Sequence, residues 1–247
     1  MELSSPEEAQ AMNFYGRLLE DFKKTSYWPK GGDTALFTLE HQSSFTSTPN
    51  VLGYYLRTDN AVHLFVDTST VMQVLRSSMS NPTRKDLMIL FAGAVLVHEF
   101  SAHWSDHNIG RDAYSKQLEA RFDTAFSQRT LNDSIVVPYL YDYILNERDA
   151  YLLTLKYLMG HVKDHSFSKQ NFHRAVVSSA TGFYGQVHDP SQPMAQYMHQ
   201  LADNVQQYSS HSSRPVGEAY AIDGYARILA LLTEAIHQMY QLGEKVR

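Results

Sequence analysis

The sequence predicts a mostly helical α+β protein with a small antiparallel sheet near the amino terminus. Two observations predict it. From Thr70 onward the apolar residues recur almost entirely at helical spacing, whereas Trp28 to Asn60 is cut into short pieces by Gly31-Gly32-Asp33, the Ser/Thr-rich stretch Ser43 to Thr48, and Pro49-Asn50. Short pieces of that kind suit strands and turns.

The elements follow in order. Ser4 or Ser5 with Pro6, Glu7 and Glu8 starts a helix, because a hydroxyl cap, an early proline and first-turn acids suit unpaired amides at the positive dipole end. Ala11, Phe14, Tyr15, Leu18, Leu19 and Phe22 carry its period to about Lys24. Strands are predicted at Ala35 to Glu40, Leu52 to Arg57 and Ala61 to Asp67, the last two as a hairpin through Thr58-Asp59-Asn60. A short helix is expected at Thr70 to Ser77. A second starts after Asn81-Pro82-Thr83 and runs from Arg84 through at least His103; it is apolar nearly all round from Leu87 to Val97 and therefore buried. Further helices are expected at Arg111 to Phe126, Ser134 to His161, Ser168 to Ser179, Pro193 to Tyr208 and Val216 to Glu244. Breaks are expected at Gly110, Gly182 to Gly185, Asp189-Pro190 and the low-complexity stretch Ser209 to Pro215, which reads as a mobile loop. The whole chain, 1–247, reads as a single domain, with a helix and sheet over 1–68 and a helical body over 69–247.

Composition narrows the function. The 247 residues are 43% apolar, enough for a real core. The net charge of −5 gives no overall positive field for phosphate backbones or anionic lipid, so neither nucleic acid nor membrane is an expected partner. The absence of Cys removes disulfide frameworks, thiolate nucleophiles and Cys-ligated metals. An acidic, polar start, MELSSPEEAQ, is unlike a secretory signal, and no apolar run approaches the roughly 18 residues of a membrane span, so a cytoplasmic protein is expected.

The chemistry concentrates at Val97-His98-Glu99-Phe100-Ser101-Ala102-His103-Trp104, at the end of the most apolar helix. A hydrolytic zinc site needs two neutral imidazoles, a third protein ligand, an open position for water, and a carboxylate to take the water's proton. In HExxH the two His lie four apart, about 40° around an α-helix. Here they are five apart, which in a regular helix separates them by about 140°. Two solutions exist. A π-bulge between His98 and His103 would bring both rings to one face and leave Glu99 free as base. Alternatively the helix stays regular, and Glu99, His103 and His107, each four apart, form the ligand row of a non-proteolytic iron or manganese protein. A plain polar helix end, its imidazoles capping carbonyls, is the bland alternative.

His98-Glu99-Phe100-Ser101-Ala102-His103 resembles the HExxxH motif of dipeptidyl peptidase III, a zinc exopeptidase whose active-site helix carries one residue more than the usual zincin. Asn146-Glu147-Arg148-Asp149-Ala150 is similar to the Glu-bearing helix motif of that family and of gluzincins generally. The resemblance implies a zincin-like domain with the sheet packed on the active-site helix, a Zn2+ cofactor, ligands His98, His103 and Glu147, Glu99 as general base, and a peptide or amide substrate. It also implies an oxyanion donor, Tyr or His, from the carboxyl-terminal part; Tyr184 and Tyr220 are the candidates, with His188 and Tyr225 beside them. A degenerate peptidase scaffold that only binds would carry the same residues.

On the helix Ser134 to His161, Asp149 points about 200° away from Glu147, so only one of them can face a metal. Tyr143, Ile144, Ala150 and Tyr151 flank the side of Glu147. Its plainer role would be a surface carboxylate paired with Arg148 or Lys156. A metal-bound imidazole needs a partner for its second N–H, and Asp106, Asp142 and Asp149 are all available for that. His161 and His165, also four apart, fall at a helix end where capping is expected instead.

Overall fold

The structure, a computed structural model, describes residues 6–40, 53–65, 90, 92–209 and 216–246. The expected helix Thr70 to Ser77, the start of the next helix at 84–89 and the loop at 210–215 lie outside the described residues. Among the described residues the protein is mostly helical with one small three-stranded sheet, the α+β class expected. No helix among the described residues is long and apolar enough to cross a membrane.

The chain forms two compact units. The first comprises Met1–Gly110 and Lys156–Ser168, the second Arg111–Leu155 and Lys169–Arg247.

The first unit opens with α1, Pro6–Phe22, which begins at the proline and buries Tyr15, Leu18 and Phe22. Strands β1 (Leu36–Glu40), β2 (Gly53–Leu56) and β3 (Ala61–Phe65) follow, in the order β1-β3-β2. The hairpin is as expected: β2 runs antiparallel to β3, and Asn60 in the turn takes φ 56°. The sheet as a whole is not antiparallel, however. β1 runs parallel to β3, with Thr38 opposite His63. No turn motif encodes that long-range pairing, and side chains account for it. His63 is buried; its Nδ1 lies 2.6 Å from Thr38 Oγ1 and 2.5 Å from Glu40 Oε1, both on β1. Its Nε2 lies 2.9 Å from Asp59 Oδ2, and its ring stacks on Tyr54 at 4.6 Å. Nδ1 thus ties β3 to β1, and the ring ties β3 to β2.

Helix α2 spans residues 92–110. It is α-helical over 92–96 and turns to π over Val97–Trp104 and again over Asp106–Gly110. Val97, Phe100 and Trp104 are fully or almost fully buried. Phe100 meets Trp28 edge-on at 4.8 Å and Phe37 at 5.0 Å, and the Ser101 hydroxyl donates to the Tyr27 carbonyl at 2.7 Å. Gly93 lets α2 touch the Tyr157 hydroxyl, where a Cβ would overlap it.

The second unit contains α3 (Ala113–Ser127), the first part of α4 (Asp133–Lys163), α5 (Lys169–His188), α6 (Pro193–Ser209) and α7 (Val216–Glu244). The last three pack against one another around Phe172, Phe183, Met198, Ile228 and Met239. One expectation is corrected here: α5 does not stop before Gly182 but continues to His188. Gly182 serves close packing, not a break. A Cβ there would sit 2.9 Å from the Tyr151 hydroxyl of α4, and the remaining α5 contacts outweigh a propensity cost of about 1 kcal/mol.

Arg111 is 7% exposed, with Nη2 2.7 Å from Asp142 Oδ2 and Nη1 3.3 Å from Glu119 Oε2. Ser115 Oγ donates to the other Asp142 oxygen at 2.7 Å. Removing the guanidinium would leave two carboxylates without their counter-ion. Arg111→Ala is expected to cost about 3 kcal/mol, read as a lower urea midpoint; an unchanged midpoint would mean that the cluster adds nothing to the second unit.

Candidate metal centre

The spacing of His98 and His103 admitted two local structures, and the chain adopts the π-helix. The Ser105 N–H donates to the Phe100 carbonyl, five residues back, as well as to that of Ala102. In such a ladder residues five apart fall on one face. The two rings accordingly stand side by side, centroids 4.9 Å apart and planes inclined by 76°. Both residues are half-buried.

Glu147 lies on α4 and is 8% exposed. Its expected competitor turns elsewhere: Asp149 accepts from Arg148 Nε at 2.8 Å on an exposed face. Arg148 is thereby engaged away from Glu147, contrary to a surface pairing of the two.

His98, His103 and Glu147 each offer one ligand atom, and these atoms all lie within 4.8 Å of one another. This His/His/Glu cluster can hold a metal ion. The donor set fits a borderline-soft divalent cation: two imidazole nitrogens and one carboxylate, one ligand short of a tetrahedral set. No other cluster of this kind occurs among the described residues, and the alternative row Glu99, His103 and His107 does not form one. Its premise, a regular α-helix, fails where the backbone is π.

Glu99 follows His98 directly and is half-buried. One oxygen, Oε2, accepts from the Tyr55 backbone N–H of β2 at 2.9 Å. That N–H belongs to an edge strand, so the sheet edge fixes the carboxylate. Tyr55 is itself anchored, its hydroxyl donating to Asn60 at 2.9 Å and its ring 6.0 Å from that of His107.

Around Glu147 the structure adds a residue that the sequence offered only as a flanking aromatic. Tyr143 stands one turn before Glu147 on the same face of α4. Its hydroxyl donates to Gln186 Oε1 of α5 at 3.1 Å. Burial first, then the charge and hydrogen bond of Glu147, push the Tyr143 phenol well above its ordinary pKa. The phenol therefore keeps its proton at neutral pH. A Tyr four residues before a buried acid was the available signal; nothing in the sequence announces Gln186.

The remaining candidates are placed as follows. Tyr184 is on α5, half exposed, its ring stacked on His188 at 4.0 Å; both are helical rather than in the expected loop. Burial, and then the neighbouring His199, lower the His188 pKa and favour its neutral ring. Tyr220 lies exposed in the first turns of α7. Of the three carboxylates considered for the imidazoles, Asp142 is committed to Arg111 and Ser115, and Asp149 to Arg148. Asp106 opens the second π segment. His161 lies in the last turn of α4, which runs two residues past the expected end to Lys163, and its carbonyl accepts from the Ser166 and Phe167 N–H groups.

No family model, curated protein or solved structure matches the chain.

Proposed function

We propose that the protein is a zinc-dependent hydrolase, gluzincin-like in its ligand set, that cleaves a peptide or amide bond. The observation that carries this reading is the His98/His103/Glu147 cluster, with Glu99 next to His98 in the chain on the same π-helix. Zinc bound there would supply Lewis-acid polarisation and lower the pKa of a water molecule toward neutrality.

The chain's own residues do the rest. His98 and His103 contribute neutral nitrogens and Glu147 a negative oxygen, a set that favours zinc over the harder magnesium and calcium. Glu99 accepts the proton of the attacking water and delivers it to the leaving amine. Tyr55 N–H holds one Glu99 oxygen, which leaves the other to carry that proton. The donor to the developing oxyanion comes from the carboxyl-terminal helices, with Tyr184 and Tyr220 the candidates because both expose their side chains.

The test is turnover of a broad peptide library by the zinc-loaded full chain. Cleavage should disappear with a chelator and return with added zinc. Binding without cleavage, in the presence of bound zinc, would overturn the hydrolase reading in favour of a peptidase-like binding protein.

A further inference from the structure

A chain of side-chain hydrogen bonds ties the turn between β2 and β3 to α2, and it ends on the residue that holds Glu99. The Tyr55 hydroxyl donates to Asn60 Oδ1 at 2.9 Å. Asn60 and Asn108 pair amide to amide: Asn60 Nδ2 donates to Asn108 Oδ1 at 3.1 Å, and Asn108 Nδ2 to Asn60 Oδ1 at 2.8 Å. Asn108 Nδ2 also donates to the Trp104 carbonyl at 2.9 Å. That carbonyl fixes the polarity of the whole chain. It can only accept, so the Asn108 group facing it is the NH2, whose second proton goes to the oxygen of Asn60. The remaining lone pair of that oxygen takes the Tyr55 proton. Turning over one amide or both would set oxygen against oxygen or NH2 against NH2. Asn60 suits its place because its backbone is left-handed, φ 56°, a conformation that asparagine tolerates better than most residues.

We propose that Asn60 and Asn108 are positioning residues for Glu99: their amide pair clamps the β2–β3 turn to the second π segment of α2, and so keeps the Tyr55 N–H on the Glu99 carboxylate. This rests on the reading of Glu99 as the base. All the residues involved belong to the first unit. Strand β2 is four residues long and, among the described residues, pairs with β3 alone. Its outward Tyr55 N–H meets Glu99 Oε2 at 2.9 Å. A slip of one residue in the pairing of so short a strand would turn that N–H inward and set Glu99 loose. The clamp opposes the slip from the turn end, and the Tyr55 ring, 6.0 Å from that of His107, adds a contact with the same π segment. A carboxylate freed of its anchor spends less time aligned for proton transfer, and a misplacement of about 1 Å can cost about 100-fold in rate.

The experiment makes two measurements on the full chain: backbone amide hydrogen exchange at Tyr55 by NMR, and kcat and KM of the zinc-loaded chain on the library peptide that it cleaves fastest. The variants are Asn108→Ala and Asn60→Gly, since glycine keeps the left-handed turn while removing the amide. Each is expected to speed exchange at Tyr55 by about 5–10-fold, with exchange in β3 unchanged. Each should also lower kcat by about tenfold, with KM within about twofold of the wild type and the zinc content unaltered. In a Glu99→Gln background the same substitutions should change the residual turnover by less than about twofold, because they act through the carboxylate. A role in folding alone would instead speed exchange throughout the hairpin and lower turnover in both backgrounds, and that result overturns the proposal. Wild-type exchange at Tyr55 in either folded variant overturns the clamp and leaves Glu99 as the base; wild-type kcat in either does the same. If one variant loses its helical circular dichroism, the other decides alone. A zinc-loaded wild-type chain that cleaves nothing overturns the reading of Glu99 as the base, and the positioning role with it, whatever the exchange at Tyr55.

Discussion

Glu99→Gln is expected to lower turnover by roughly 10²–10⁴-fold while metal content stays at the wild-type level. The substitution keeps the shape of the side chain and keeps an oxygen for the Tyr55 N–H, so the anchor to β2 survives. It removes the group that takes and returns the proton. Because Glu99 stands outside the His98/His103/Glu147 cluster, metal should be retained. Loss of metal together with activity would mean that Glu99 is a ligand, and the proton-transfer role would have to move elsewhere. Activity within tenfold of the wild type would mean that the base is another residue.

The second large effect concerns the length of the motif. His98 and His103 converge only because the backbone closes five-residue rings over Val97–Trp104. Inserting one alanine between Ser101 and Ala102 would place the imidazoles six apart, a spacing that neither an α-helix nor a π-helix brings to one face. Zinc affinity is expected to fall by at least about 100-fold, since one imidazole ligand is lost outright. Deleting Ala102 has the opposite logic. The His would then be four apart, about 40° around a relaxed α-helix, and zinc should still bind. Isothermal titration on both variants checks the pair. Tight binding by the insertion variant would show that the π geometry is irrelevant to the ligands.

Much of this architecture could be read before any coordinates. Pro6 with two acids opened α1 where the helix begins, and alternation around Thr58-Asp59-Asn60 located the hairpin, because short-range rules govern caps and turns. The long helices α4 and α7 followed from sustained apolar spacing. The parallel β1–β3 pairing did not, since it depends on Thr38, Glu40, Asp59 and Tyr54 meeting around one histidine from distant points in the chain. The passage of α5 through Gly182 escaped for a related reason: glycine marks a break by propensity, but here it makes room for a tyrosine of another helix.

The candidate site divides in the same way. Residue types and five-residue spacing singled out His98, His103 and Glu99, and the resemblance of Asn146 to Ala150 to a Glu-bearing helix motif pointed to Glu147, whose burial only the structure supplies. Spacing alone left both a π-bulge and a regular helix open, because the choice depends on how Phe100 and Trp104 pack. The contributions of the Tyr55 N–H and of Gln186 had no sequence signal at all. One is a backbone group and the other an ordinary surface-type residue, and each matters only through what the fold sets beside it.

The most direct measurement is the metal content of the purified chain by elemental analysis after zinc loading and desalting, run beside His98→Ala and Glu147→Ala. One zinc per wild-type chain, lost from both variants whose helical circular dichroism is intact, is the expected result. A full zinc complement in both variants, or none in the wild type, would contradict a centre built from His98, His103 and Glu147.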